Sequence, residues 1–100
     1  MPKTLISTVF EVAKVAPARH PYPVLAKLQE EVGELATEVN IATGFLNKPA
    51  GKDGINGEAV DVIITALDMI FIDNPNVTEE EILELVQKKV NKLKSYLPNQ

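Results

Sequence analysis

The sequence predicts an all-α fold, a four-helix-bundle-like chain, and three observations carry that reading. Apolar residues recur at helical spacing, above all Leu25, Leu28, Val32, Leu35, Val39 and Ala42 at intervals of 3-4-3-4-3. Clusters of proline and glycine separate such stretches: "PARHPYP" at 17–23, "GFLNKPAGKDGING" at 44–57 and "DNPN" at 73–76. The stretch richest in β-branched residues, 58–72, runs unbroken for fifteen positions, too long for an ordinary strand.

Each element follows in order. A first amphipathic helix is predicted over Thr4–Ala16, with Leu5, Val9, Val12 and Ala16 on one side. Three prolines in residues 17–23 end it, because proline lacks the N–H that a helix interior needs. The second helix is predicted from Val24 to Thr43, with Gly44 placed to close its C-terminus. The third covers Glu58–Ile72 and is apolar almost all round, through Val60, Val62, Ile63, Ile64, Leu67, Met69, Ile70 and Phe71. An all-round apolar helix is a buried one, and in so small a chain that implies burial between subunits as well as within one. "TEEE" opens the last helix: Thr78 caps free N–H groups, Glu81 reaches back, and the acids suit the positive end of the helix dipole. Lys88, Lys89, Lys92 and Lys94 suit the opposite end.

One hundred residues with no internal repeat make a single domain over 1–100. Apolar residues are 45% and charged residues 24%, ordinary for a globular protein and too apolar for disorder. Fourteen acids against ten bases, a net charge of −4, argue against nucleic-acid binding. The absence of cysteine excludes disulfides, thiolate zinc sites and a cysteine nucleophile. "IITALDMIFI" is too short to span a bilayer and contains Asp68, and Glu11 and Lys14 interrupt the apolar start as they would not in a cleaved leader. The expectation is a cytoplasmic protein with no membrane partner.

The chemistry lies in the carboxylates. On a wheel of about 100° per residue, Glu31, Glu34 and Glu38 form a stripe along one edge of the Leu28 seam, while Glu30 points away. Glu58 and Asp61 share one side of the third helix, and Thr65 and Asp68 continue that line. Lone buried carboxylates are costly unless paired or bound to metal. Two such pairs meeting across a bundle would make an all-oxygen nest suited to Mg²⁺ or Mn²⁺. The spacing is equally compatible with solvated or lysine-paired acids, and with Glu58 and Asp61 complementing the first turn of their helix. A di-iron centre is disfavoured, since such bundles use Glu-x-x-His pairs and the single histidine, His20, sits in the proline-rich break as a surface or hinge residue.

"EEVGE" (30–34) followed by "EAVD" (58–61) resembles the EExxE…ExxD pattern of MazG-like nucleoside triphosphate pyrophosphohydrolases, members of the all-α NTP pyrophosphatases. "KKVNKLKSYLP" (88–98) is similar to the Lys/Asn-rich segment that closes many of them, so the likeness runs from about His20 onward. The resemblance implies Mg²⁺-dependent hydrolysis of an NTP or dNTP between its α and β phosphates, in nucleotide-pool cleansing, by a homodimer or homotetramer. It implies Glu31, Glu34, Glu58 and Asp61 as metal ligands. Glu34 and Glu38 are then the catalytic acids, with Glu38 an added ligand or orienting the attacking water. Lys88, Asn91, Lys92, Lys94 and Tyr96 are expected to hold the triphosphate, with Lys48 and Lys52 behind them. Phe10, Tyr22, Asn40 and Phe45 are candidates for the nucleoside pocket, though each reads more readily as ordinary packing. Two alternatives stay open: a narrower relative such as a dUTPase, and a non-catalytic helical module whose acids bind a basic partner.

Overall fold

A computed structural model of the protein describes residues 3–16 and 19–98. These form four helices and no strand: α1 (Leu5–Ala13), α2 (Pro21–Ala42), α3 (Gly54–Asp73) and α4 (Glu79–Lys94). The all-α class is as predicted, and three boundaries differ. The first helix stops at Ala13 rather than Ala16; its start is fixed by Thr4 and Ser7, which cap each other's N–H groups at 3.0 and 2.8 Å.

The second begins at Pro21, ahead of the expected Val24. Pro21 and Pro23 lie in its first turn, where the missing N–H has no partner to lose and the fixed φ is already helical. His20 is therefore an N-cap, its Nδ1 accepting the Tyr22 N–H at 3.1 Å. Pro17 and Ala18, the start of the expected break, lie outside the described residues.

The third difference bears on the site. α3 starts at Gly54, whose φ of 63° suits glycine, a full turn before Glu58. Glu58 and Asp61 thus stand inside the helix, and its first turn holds no acid. Dipole complementarity no longer accounts for them. α4 agrees with the prediction: Glu81 N–H donates to Thr78 Oγ1 at 3.1 Å and Thr78 N–H to Glu81 Oε1 at 3.0 Å. Gly44, with φ 85°, follows the C-cap of α2.

α2 and α3 pack as the principal pair, and α1 lies against α3. The buried cluster joins α1, α3 and α4 through Ile6, Val9, Leu67 and Ile82, with Phe10 edge-on to Phe71 at 4.0 Å between ring centres. That core is small. Of α3 only Leu67 is buried, and Val60, Ile63 and Ile64 stand exposed, so within one chain this apolar helix is covered on part of its surface. On α2 the residues most buried are Val24 and Glu31, while Leu25, Val32 and Val39 of the apolar seam are exposed. The contact face is rotated toward the acids: Val24 and Glu31 point within about 20° of one another, and Val32 about 100° away.

The molecule is correspondingly open. Its radius of gyration is 16.3 Å, against about 13 Å for a compact chain of this length. Its surface of 7817 Å² exceeds by about 2,200 Å² the area expected for its mass. Among the described residues no helix is long and apolar enough to cross a membrane.

Candidate metal centre

The rotation of α2 brings its acids onto α3. Oxygens of Glu31, Glu58 and Asp61 lie within 4.8 Å of one another, and a second set within the same distance joins Glu30, Glu31 and Glu34. Glu31 belongs to both, and it is 5% exposed, the only charged residue so deeply buried among those described. Glu30, read from the sequence as pointing away, touches the edge of the group instead.

One oxygen of Glu31 meets Lys27 Nζ at 3.0 Å, one helical turn back. Its other oxygen, Oε2, is buried with no hydrogen-bond partner, and so is Oε2 of Glu58. A buried acceptor without a donor costs about 1–3 kcal/mol, more when charged. Both residues belong to the group of three carboxylates with Asp61, a set that could hold a cation. Burial pushes the Glu58 carboxyl above its ordinary range; a hydrogen bond with Glu34 and the nearby charges of Glu34, Asp61 and Glu31 push it further. An oxygen-only donor set of this kind fits a hard divalent ion such as Mg²⁺ or Mn²⁺.

Other expected site residues are placed differently. Glu38 is directed at the 43–53 loop: both its oxygens accept the Gly51 N–H, at 2.9 and 3.2 Å, and a Cβ on Gly51 would meet Oε2 at 2.8 Å. Asp68, last on the α3 stripe, forms a two-pronged pair with Arg19 from the α1–α2 connection, at 2.6 and 2.5 Å. Lys88, Asn91, Lys92 and Lys94 on α4 and Tyr96 just past it are all exposed, and among the described residues no hydrogen bond or ion pair links them to the carboxylates. Lys48 and Lys52 are exposed in the loop.

Beside the carboxylates a cavity of about 450 Å³ opens between α1, the start of α2 and α3. Val9, Val12, Val24 and Ile64 give it apolar walls, and Arg19, Asp68 and Lys27 border it. None of Phe10, Tyr22, Asn40 and Phe45 lines it. Phe10 packs on Phe71, Tyr22 lies beside the His20 cap, and Asn40 and Phe45 are exposed. Lys27 is the residue that sequence reasoning passed over; its signal was its spacing, three and four residues before Glu30 and Glu31. No family model, curated protein or solved structure matches the chain.

Proposed function

We propose that this chain is a metal-dependent nucleoside triphosphate pyrophosphohydrolase of the MazG-like kind, cleaving (d)NTPs to (d)NMP and pyrophosphate. The observation that carries the reading is the convergence of Glu31, Glu58 and Asp61, with two buried oxygens left without donors. Glu31, Glu34, Glu58 and Asp61 are the ligands in this reading. Bound there, Mg²⁺ would neutralise triphosphate charge and polarise the attacking water.

The protein's own groups divide the remaining work. Glu31, Glu58 and Asp61, held on two packed helices, fix the site in place. Glu34 is exposed on the same stripe and reaches Glu58, so it takes the proton from the water. Glu38 supports this from a distance by fastening the loop through Gly51 rather than by touching water. The 450 Å³ apolar cavity receives the nucleoside and shields it from solvent.

Assembly belongs to the same proposal. The surplus of about 2,200 Å² over a compact monomer is the size that a stable homodimer covers. Its candidates are the exposed Val60 and Ile63 of α3 with Leu83, Val86 and Val90 of α4. A second copy is also the means by which Lys88, Asn91, Lys92, Lys94 and Tyr96 would join a triphosphate, since the single chain leaves them apart from the acids.

The test is pyrophosphate release from a panel of NTPs and dNTPs with Mg²⁺. Activity is expected with at least one, and Glu34→Gln and Asp61→Asn abolish it while helical circular dichroism is retained. Absence of release together with no Mg²⁺-dependent rise in melting temperature would support the non-catalytic interaction module instead.

A further inference from the structure

The wall of the cavity raises a question that the carboxylates alone do not answer: what meets the polar part of a molecule seated there? The polar side chains that line it are nearly all committed within the protein. Thr8 Oγ1 donates to the Thr4 carbonyl at 2.7 Å and Thr65 Oγ1 to the Asp61 carbonyl at 2.8 Å. Arg19 and Asp68 cancel one another in their two-pronged pair. Lys27 remains.

Lys27 borders the cavity and at the same time touches the acid cluster, so it stands where the two compartments join. Its ammonium has three N–H donors and makes one short contact, to Glu31 Oε1 at 3.0 Å; Glu30 lies further off at 3.6 Å. More than half of its side chain is open to solvent, which leaves the remaining donors accessible. Glu31 is buried, with one oxygen turned to Lys27 and Oε2 unpartnered and free for a cation. A divalent ion on Glu31 would compete for the charge that now pairs with Lys27, loosening the 3.0 Å contact and freeing a further ammonium donor beside the cavity mouth while Glu30 stays 3.6 Å away.

We propose that Lys27 is a substrate-binding residue that holds the phosphate nearest the nucleoside, the α-phosphate, at the junction between the apolar cavity and the carboxylates. This rests on the pyrophosphohydrolase reading and deepens it. A ligand with an apolar ring in the cavity and a polyanion at the metal-binding acids must pass its first phosphate beside Lys27. A lysine there acts as a point charge with rotatable donors, so Arg replaces it only in part. The role differs from that of the α4 lysines, which belong to the outer phosphates.

The experiment measures binding rather than turnover. Titration calorimetry with Mg²⁺ compares wild type, Lys27→Met and Lys27→Arg against α,β-methylene analogues of the common NTPs and dNTPs. The monophosphate and the uncharged nucleoside of the tightest binder are measured alongside. For Lys27→Met, analogue and monophosphate are expected to weaken at least tenfold and the nucleoside less than twofold, with Mn²⁺ affinity not reduced. Lys27→Arg recovers part of the loss. Equal analogue binding by wild type and Lys27→Met overturns the proposal and leaves the hydrolase reading standing. A Lys27→Met that loses nucleoside as strongly as analogue also overturns it, since that marks a wall residue. A wild-type protein that binds Mn²⁺ but none of the analogues overturns the hydrolase reading and this inference with it.

Discussion

Replacing Asp61 by asparagine should make the metal-free protein more stable while removing its response to Mg²⁺. Oxygens of Asp61, Glu31 and Glu58 lie within 4.8 Å of one another, and no hydrogen bond to the Asp61 carboxylate is present among the described residues. Two unit charges at that separation repel by about 3 kcal/mol at an effective dielectric constant of about 20. Asp61 is half-buried, so water screens part of this, and relief of about 1–2 kcal/mol is expected. For a domain of this size that is a rise of about 5–10 °C in melting temperature without metal. Mg²⁺ at a hundred times its dissociation constant adds about 2.7 kcal/mol to wild type, or about 10–15 °C, and nothing comparable to the variant. Differential scanning calorimetry with EDTA and then with Mg²⁺ reads both effects. An Asp61→Asn protein that melts lower than wild type in EDTA, or gains as much from Mg²⁺, would refute the account of a crowded site awaiting a cation.

Three further outcomes follow from the same geometry. Glu58 holds its proton more tightly when folded than its ordinary value of 4.5, so in metal-free protein its contribution is intact below that value. It is lost as pH rises through the raised one. Urea melts between about pH 4 and 7 should show wild type losing stability relative to Glu58→Gln as pH increases, with Mg²⁺ reversing the trend. Gly51→Ala and Glu38→Ala should each cost about 1 kcal/mol. Their double variant should cost less than the sum, because both break the same loop anchor; strict additivity would separate them. Placing glutamate at both Ile63 and Val86 should turn the assembly proposed for wild type into a monomer by sedimentation equilibrium, since both residues line an apolar cleft of about 410 Å³ among α1, α3 and α4.

How far the site could be read in advance depended on the range of the forces involved. Helical periodicity is local, so Glu31 and Glu34 on one stripe and Glu58 and Asp61 on another were legible in the sequence. That Glu38 would leave its stripe for Gly51 was not. The loop's return to α2 joins residues thirteen apart through a backbone N–H that carries no sequence signal. The Arg19–Asp68 pair spans 49 positions and was equally out of reach.

The helix starts mark the same division. Thr78 with Glu81, and Gly44 after α2, are contacts between near neighbours, and they stand where the sequence put them. The starts of α2 at Pro21 and of α3 at Gly54 rest on residues that also mark breaks, since proline fits the first turn of a helix and Gly54 takes a φ of 63°. The sequence by itself therefore determined the helical class, the punctuation and which acids share a helix face. Only the tertiary structure decided how far α2 turns about its axis, because that angle is set by contacts between distant segments. The same turn buries Glu31, brings it to Glu58 and Asp61, and leaves most of the apolar seam uncovered.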